Sequence, residues 1–343
     1  MGNNQLLPYF SNEKAEWKRR TENLTTYNYT LMHQPQKKIT VVSLFSGCGG
    51  MDLGFVGGFD FLGKNYDKLP FDIVWANEIN EKACATYEKN FGKHIVCGDI
   101  WKLIDQLPPS ADVVIGGFPC QDISINGKGK GINGSRSGLY RAMVEVVRRL
   151  KPKMFVAENV KGLLMKHNRE SLNTVLSDFS ALGYSVSYKL YHAADYGVPQ
   201  TRERVFIVGT LPGITFEPPR AILASSEHIT AKQALSDLED QPELEDINHI
   251  WSKANVSPEQ GNRRLEADRA GFTIRAECHG NIQFHYNQPR RISMREAARI
   301  QSFPDNFIFQ SKLRETERQI GNAVPPVLAW HLAKAVQASL ENE

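Results

Sequence analysis

The chain has 343 residues, 41% hydrophobic and 23% charged, with a formal net charge of +3. That is the make-up of a soluble globular protein of one large domain or two ordinary ones, and it excludes a disordered or membrane-embedded chain. No apolar run approaches a membrane span, the opening "MGNNQLLPYFSNEKAEWKRR" has no signal-peptide core, and five scattered cysteines form neither a CxxC nor a Cys/His cluster, so a cytoplasmic protein with no metal site is expected.

Residues 1–37 are polar, with a short helix expected after Ser11, and read as an N-terminal arm. From Ile39 the pattern becomes regular. "ITVVSLF" predicts a strand that ends in the glycine turn "SGCGG" and feeds the helix "MDLGFVGGF". The strand "FDIVWANE" and the helix "INEKACATYEKNF" follow, then the strands "HIVCGDI" and "ADVVIGGF". Next come the helix "LYRAMVEVVRRL", the strand "MFVAENV", the helix "ESLNTVLSDFSALGY" and two last strands in "YSVSYKLYHAADYG" and "RVFIVGT". Strands alternating with helices predict an α/β domain over 38–212, built on a doubly wound, mostly parallel sheet. The alternation stops near residue 213. Residues 213–288 are expected to form a smaller, irregular domain with strands at "FTIRAE" and "NIQFHY", before helices return in "SMREAARIQSF" and "PPVLAWHLAKAVQASL".

Charge is distributed unevenly. Residues 121–153 hold eight Lys/Arg against two acids, and 263–318 hold eleven against seven, whereas 216–246 hold two against eight. Two basic surfaces separated by an acidic one point to a bound polyanion.

In doubly wound sheets ligands bind beyond the carboxyl ends of the strands. There "SLFSGCGGMDLGF" forms a glycine turn, but Asp52 stands where a dinucleotide fingerprint needs its third glycine, and no P-loop Lys-Ser/Thr occurs. Glu78 closes the second strand, placed to accept ribose hydroxyls, and Asp99 closes the third, placed to accept an exocyclic amine. A nucleoside without pyrophosphate fits S-adenosylmethionine. The bland alternative is that both acids cap the helices that follow.

At the ends of later strands lie Cys120 in "GGFPCQDIS", Glu158 in "ENV", and Arg202 and Arg204 in "QTRER". A free cysteine is most often a buried packing residue. With these neighbours a second chemistry is available: a thiolate adding at C6 of cytosine makes C5 nucleophilic, provided the ring nitrogen is protonated or hydrogen-bonded. Cys120 is the candidate nucleophile, Glu158 the group on the Watson–Crick edge, and Arg202 and Arg204 the holders of the base carbonyl and nearby phosphates. Such a base must be flipped out of a duplex.

The ordered set "FSGCGG", "ANEIN", "GDI", "GGFPCQDIS", "ENV", "QTRERVFIVG", "RRISMREAARIQSFPD" and "QIGNAVPP" resembles the DNA (cytosine-5) methyltransferase family, in particular the compact bacterial enzymes of restriction–modification systems. The resemblance runs over nearly the whole chain from Ile39. It implies that Phe45, Gly47, Gly49 and Leu53 line the S-adenosylmethionine site, with Glu78 on the ribose, Ile79 against the adenine, and Asp99 with Ile100 at the adenine edge. Asn322 and Val324 would close that pocket, so that 289–343 returns to the catalytic domain. Residues 121–139 resemble the family's mobile loop, with Gln121, Ser124 and Arg136 as DNA contacts. Residues 213–288 would be the target-recognition domain, in which Arg275 and His279 are major-groove candidates. Where the family's first motif often begins with an acid, this chain has Ser43; the resemblance reads Cys48, beside the cofactor, as packing. Double-stranded DNA is the expected partner of a monomer, and a cognate restriction endonuclease would share the site without a stable complex.

Three other readings are weaker. An RNA-modifying branch of the family carries Cys-Phe-Thr in its recognition region, whereas Cys278 precedes His-Gly. Non-catalytic relatives lose motifs that are intact here. An NAD-dependent oxidoreductase leaves Pro119-Cys120-Gln121 unexplained.

Overall fold

The computed structural model describes residues 38–118, 138–253, 263–276 and 283–342. In chain order the first half comprises β1 (Ile39–Leu44), α1 (Gly50–Val56), the hairpin β2 (Phe59–Phe61) and β3 (Lys64–Tyr66), β4 (Phe71–Glu78), α2 (Glu81–Phe91), β5 (Ile95–Cys97), α3 (Ile100–Leu103) and β6 (Val113–Gly117). Then follow α4 (Leu139–Leu150), β7 (Met154–Val160), α5 (Arg169–Ser180), β8 (Ser185–His192) and β9 (Glu203–Thr210). The remainder contains α6 (Ala231–Leu235), α7 (Met294–Ile300), α8 (Leu313–Asn322) and α9 (Pro326–Glu341).

Seven strands form one sheet in the order β5-β4-β1-β6-β7-β9-β8. The five from β5 to β7 run parallel, and β9 is antiparallel to both β7 and β8. The chain winds outward from β1 through β4 to β5, then returns to β6 on the other side of β1. The reversal therefore falls between β1 and β6, where open α/β sheets bind their ligands.

Both faces of the sheet are covered, which is why its central strands are almost continuously apolar. Val41, Val113, Ile115 and Val156 pack with Phe55 of α1, Tyr87 of α2 and Leu328 and Leu332 of α9. The alternate residues Val42, Leu44, Val114 and Phe155 pack with Met143 and Val147 of α4 and Val175 and Phe179 of α5. A third buried cluster joins Ala234 and Leu235 to Leu265, Ile274, Ile292, Phe303, Phe307, Phe309 and Ile320.

The expected doubly wound, mostly parallel architecture is the observed one. Of the strands expected at "FTIRAE" and "NIQFHY", the described residues 272–276 and 283–286 form none. Isolated bridges alone join Gln200 to Gly271 and Phe284 to Arg264 and Arg291. Their aromatic side chains are held instead by guanidinium groups, with Arg263 5.5 Å from the Phe272 ring and Arg291 4.5 Å from that of Phe284. The helix expected after Ser11 lies outside the described residues. Among the described residues no helix is long and apolar enough to cross a membrane.

Candidate functional site

The loop after β1 turns sharply. Phe45 and Gly47 have φ of 54° and 57°, and Gly49 has φ of 93°, a left-handed geometry that glycine adopts without cost and Phe45 only under strain. A side chain at Gly49 would strike the Phe91 ring, whereas nothing lies within 4 Å of a Cβ placed on Gly47. The space over Gly47 is open.

Glu78, at the end of β4, fixes this loop. Its Oε2 accepts from the Gly47 N–H at 2.9 Å, and its Oε1 accepts from Ile79 N–H at 3.0 Å and Asn80 N–H at 2.9 Å. A carboxylate offers about four acceptor positions, so one remains for a ligand hydroxyl. Ile79 beside it is 68% exposed, an unpartnered apolar surface at the sheet's carboxyl edge. Asp99 caps α3 by accepting from Trp101 N–H at 3.1 Å, and Trp101 itself is half exposed. The Ile100 side chain is buried in the core against the sheet.

The C-terminal segment does return to this loop. A Cβ on Gly50 would stand 2.5 Å from the Val324 carbonyl oxygen, so the chain after α8 lies directly against the start of α1. Asn322 is exposed, Val324 is buried, and Leu53 is half-buried. Burial pushes the Cys48 thiol far above its ordinary pKa, which keeps it protonated as a packing group.

A second group of residues sits across the reversal point. Glu158 on β7 is paired in register with Gly117 on β6. Its Oε1 forms an ion pair with Arg204 Nε at 2.7 Å, both side chains being largely buried, and a Cβ on Gly117 would meet its Oε2 at 2.8 Å. Neighbouring Asn159 donates from Nδ2 to the Phe118 carbonyl at 2.9 Å. The carboxylate thus lies over the last residue of β6, with Arg204 fixing its other oxygen. Burial lowers the Arg204 pKa and Glu158 opposes that shift.

Arg202 is the departure from the sequence reading. Instead of facing this carboxylate's open side, its guanidinium is fully buried and donates to three carbonyls, Ile274 at 3.0 Å, Gly321 at 2.9 Å and Ala323 at 3.0 Å. Gln200 works beside it, donating to Ile300 O at 3.0 Å and accepting from Ile274 N–H at 3.1 Å. Arg202 thus joins the segment around Ile274 to the end of α8, and Gln200 joins it to the end of α7. Glu296 and Arg299 of α7 are likewise occupied, with Arg290 and with Asp237 and Asp305 respectively.

Arg275 is exposed, and its backbone packs against Gly321, where a Cβ would meet the Arg275 carbonyl carbon at 2.5 Å. Cys120, Gln121, Ser124, Arg136 and His279 lie outside the described residues. Sequence reasoning passed over Asn159 and Gly117. Strand alternation assigns Asn159 to the face opposite Glu158 and hence to the core; the signal that could have found it is its place inside "ENV", next to an acid at a strand end.

Residues 39–271 and 251–338 match the family described as C-5 cytosine-specific DNA methylase. The chain is similar to the type II methyltransferase M.NgoFVII of Neisseria gonorrhoeae, 36% identical over 340 residues that cover 89% of this chain and 88% of the relative. It is similar also to M.MthTI of Methanothermobacter thermautotrophicus, 37% identical over 341 residues, with 88% of this chain and 98% of the relative covered. In shape it is similar to the Entamoeba histolytica methyltransferase EhMeth, with a TM-score of 0.66 over 89% of this chain and 99% of the other, at 18% identity. That last likeness bears on the fold alone.

Proposed function

The chain belongs to the C-5 cytosine-specific DNA methylase family, and we propose that it methylates C5 of a cytosine flipped out of double-stranded DNA, using S-adenosylmethionine and a covalent bond to Cys120, as the modification enzyme of a restriction–modification system. The observation that carries the reading is the placement of Glu158. Its carboxylate is locked between Arg204 and Gly117, two residues before Pro119-Cys120, on the opposite side of the reversal point from the Glu78-braced glycine loop.

The residues around that loop fit the proposed methyl donor. Glu78 retains an acceptor position for a ribose hydroxyl, Ile79 and Trp101 offer exposed apolar surface for an adenine, and the space over Gly47 is open. Asp99 stands at the adenine edge, with Phe45, Gly49, Leu53, Ile100, Asn322 and Val324 completing the pocket. When bound, S-adenosylmethionine supplies an electrophilic methyl group on its sulfonium.

The chain's own residues do the rest. The Cys120 thiolate adds to C6, forming a C–S bond and moving electron density toward N3 and O2. Glu158 takes up a proton on the oxygen that does not face Arg204 and donates it at N3, and Arg204 holds the carboxyl in place and offers positive charge near O2. Once C5 is alkylated, solvent water takes the C5 proton, the C5–H electron pair re-forms the C5–C6 double bond as the C6–S bond breaks, Cys120 leaves as thiolate and the N3 proton returns to Glu158. Arg202 serves as a positioning residue. We assign 38–212 and 289–343 to the catalytic domain, 213–288 with Arg275 and His279 to target recognition, and Gln121, Ser124 and Arg136 to DNA contacts.

Trapping tests this directly. On duplex DNA carrying 5-fluorocytosine, with S-adenosylmethionine present so that C5 is alkylated, C5 holds fluorine in place of the proton that must leave, so the adduct cannot resolve. A denaturation-resistant protein–DNA species, mapped by mass spectrometry to Cys120 and absent from Cys120→Ala, is expected. A folded protein that gives no adduct on DNA bearing the site, or one mapped to another residue, would overturn the assignment.

A further inference from the structure

Three side chains with metal-ligating atoms converge at the end of β8. His192 ends β8, Asp195 lies in the single 3-10 turn that follows it, and His228 arrives from the segment beyond β9. His192 Nδ1 is 3.0 Å and His228 Nε2 is 2.8 Å from the same oxygen, Asp195 Oδ1. One ligand atom from each residue lies within 4.8 Å of the other two.

Two imidazole nitrogens and one carboxylate oxygen are the donor set of a zinc-class site. Metal–ligand bonds of about 2.0–2.1 Å at tetrahedral angles put neighbouring donors about 3.3 Å apart. The two pairs that share Asp195 Oδ1 stand a few tenths of an ångström closer than about that spacing, and the two ring nitrogens lie within 4.8 Å of each other, so rotations of the three side chains admit an ion in place of the two ring protons. Their side chains are 31%, 31% and 14% exposed, which leaves a path from solvent and room for water as a fourth ligand.

The backbone beneath is fixed on both sides. Ala193 N–H donates to the Arg202 carbonyl at 2.7 Å, and the Asp195 carbonyl accepts from both Ile222 and Leu223 N–H at 3.0 Å. Ligands on such a scaffold lose little freedom on binding. The spacing conceals the cluster in sequence, because the third ligand comes 33 positions after Asp195.

We propose that His192, Asp195 and His228 bind one divalent transition-metal ion of the zinc class, which staples residues 222–228 to the end of β8. His192 is paired in register with Glu203, the residue before Arg204, so the ion braces the end of the strand pair that carries Arg204. The site takes no part in methyl transfer and does not depend on that reading.

The test uses the full-length protein, freed of metal with a chelator and titrated separately with Zn2+ and Co2+. We expect one ion per chain, a melting temperature that rises with added Zn2+, and a Co2+ spectrum of nitrogen and oxygen ligation without a thiolate charge-transfer band. His228→Gln and Asp195→Asn should each weaken binding by at least about tenfold. A folded wild type that binds no ion overturns the proposal, as does binding undiminished in His228→Gln or a thiolate band that assigns the ion to cysteine. Should His228→Gln fail to fold, the wild-type stoichiometry and Co2+ spectrum decide alone.

Discussion

Arg204 Nε lies 2.7 Å from Glu158 Oε1 in a pair of largely buried side chains, and the other carboxylate oxygen occupies the space beside the backbone of Gly117. One oxygen is thus held by Arg204 and the other uses room that the missing side chain of Gly117 leaves, an arrangement suited to a group that must meet one edge of a base. Glu158→Gln keeps the shape and removes the exchangeable acid. It is expected to lower kcat by about 10²–10⁴-fold while the DNA dissociation constant stays within about threefold. Single-turnover methyl transfer with a parallel binding titration checks this, and an unchanged rate would remove Glu158 from the reaction.

Gly117→Ala places a methyl group 2.8 Å from Glu158 Oε2. The carboxylate has to shift, and a displacement of that order at a reacting group should cost tenfold or more, up to about 10²-fold, in kcat. Because the damage runs through Glu158, the double variant Gly117→Ala/Glu158→Gln should be no slower than Glu158→Gln alone. Additive losses would mean that Gly117 acts by another route.

Arg202 and Arg204, two positions apart, are predicted to fail differently. Arg202→Lys leaves at least one of three buried carbonyls without its donor, at a cost of roughly 2–4 kcal/mol in unfolding free energy. Affinity for S-adenosylmethionine and for DNA should fall together, since Ile274 and Ala323 lose a common anchor. Arg204→Lys should instead lower kcat with both affinities nearly retained. Denaturant unfolding and the two binding titrations separate the cases; wild-type stability in Arg202→Lys would contradict the clamp.

Much of this was legible in the sequence. β1, β4, β6 and β7 fall on the expected runs because each is covered on both faces and must be apolar throughout. Glu78, Asp99 and Glu158 stand out as acids at strand ends for the same reason. What was hidden depends on distant partners. Arg202 reads like Arg204 until its acceptors arrive from 72 to 121 positions away. "FTIRAE" has the composition of a strand, but the backbone around Ile274 bonds to Gln200 and Arg202 side chains in place of a ladder. The β8 strand was expected to run on through Gly197, yet it ends at His192, where Ala193–Tyr196 turns to meet Arg202.

Asp52, at the start of α1, is fully buried, and burial raises its carboxyl to about 6 against the lowering effect of the Tyr87 hydroxyl, which donates at 2.8 Å. A carboxyl whose folded pKa is raised binds its proton more tightly in the folded state. Its contribution to stability is complete below pH 3.8 and is lost as pH rises through about 6. Asp52→Asn keeps an acceptor for Tyr87 and removes the buried charge. The variant should therefore gain stability relative to the wild type as pH rises from 4 to 7. Thermal melts across that interval check the sign; a difference that shrinks with rising pH would contradict it.

The most direct test of the central claim is base-resolution 5-methylcytosine sequencing of host DNA after expression in a bacterium free of cytosine methylation, with Cys120→Ala beside the wild type. The account predicts methylation at one short sequence motif with the wild type and none with Cys120→Ala. Equal methylation from the two chains would refute Cys120 as nucleophile, and none from a folded wild-type chain that binds S-adenosylmethionine would contradict DNA as the substrate.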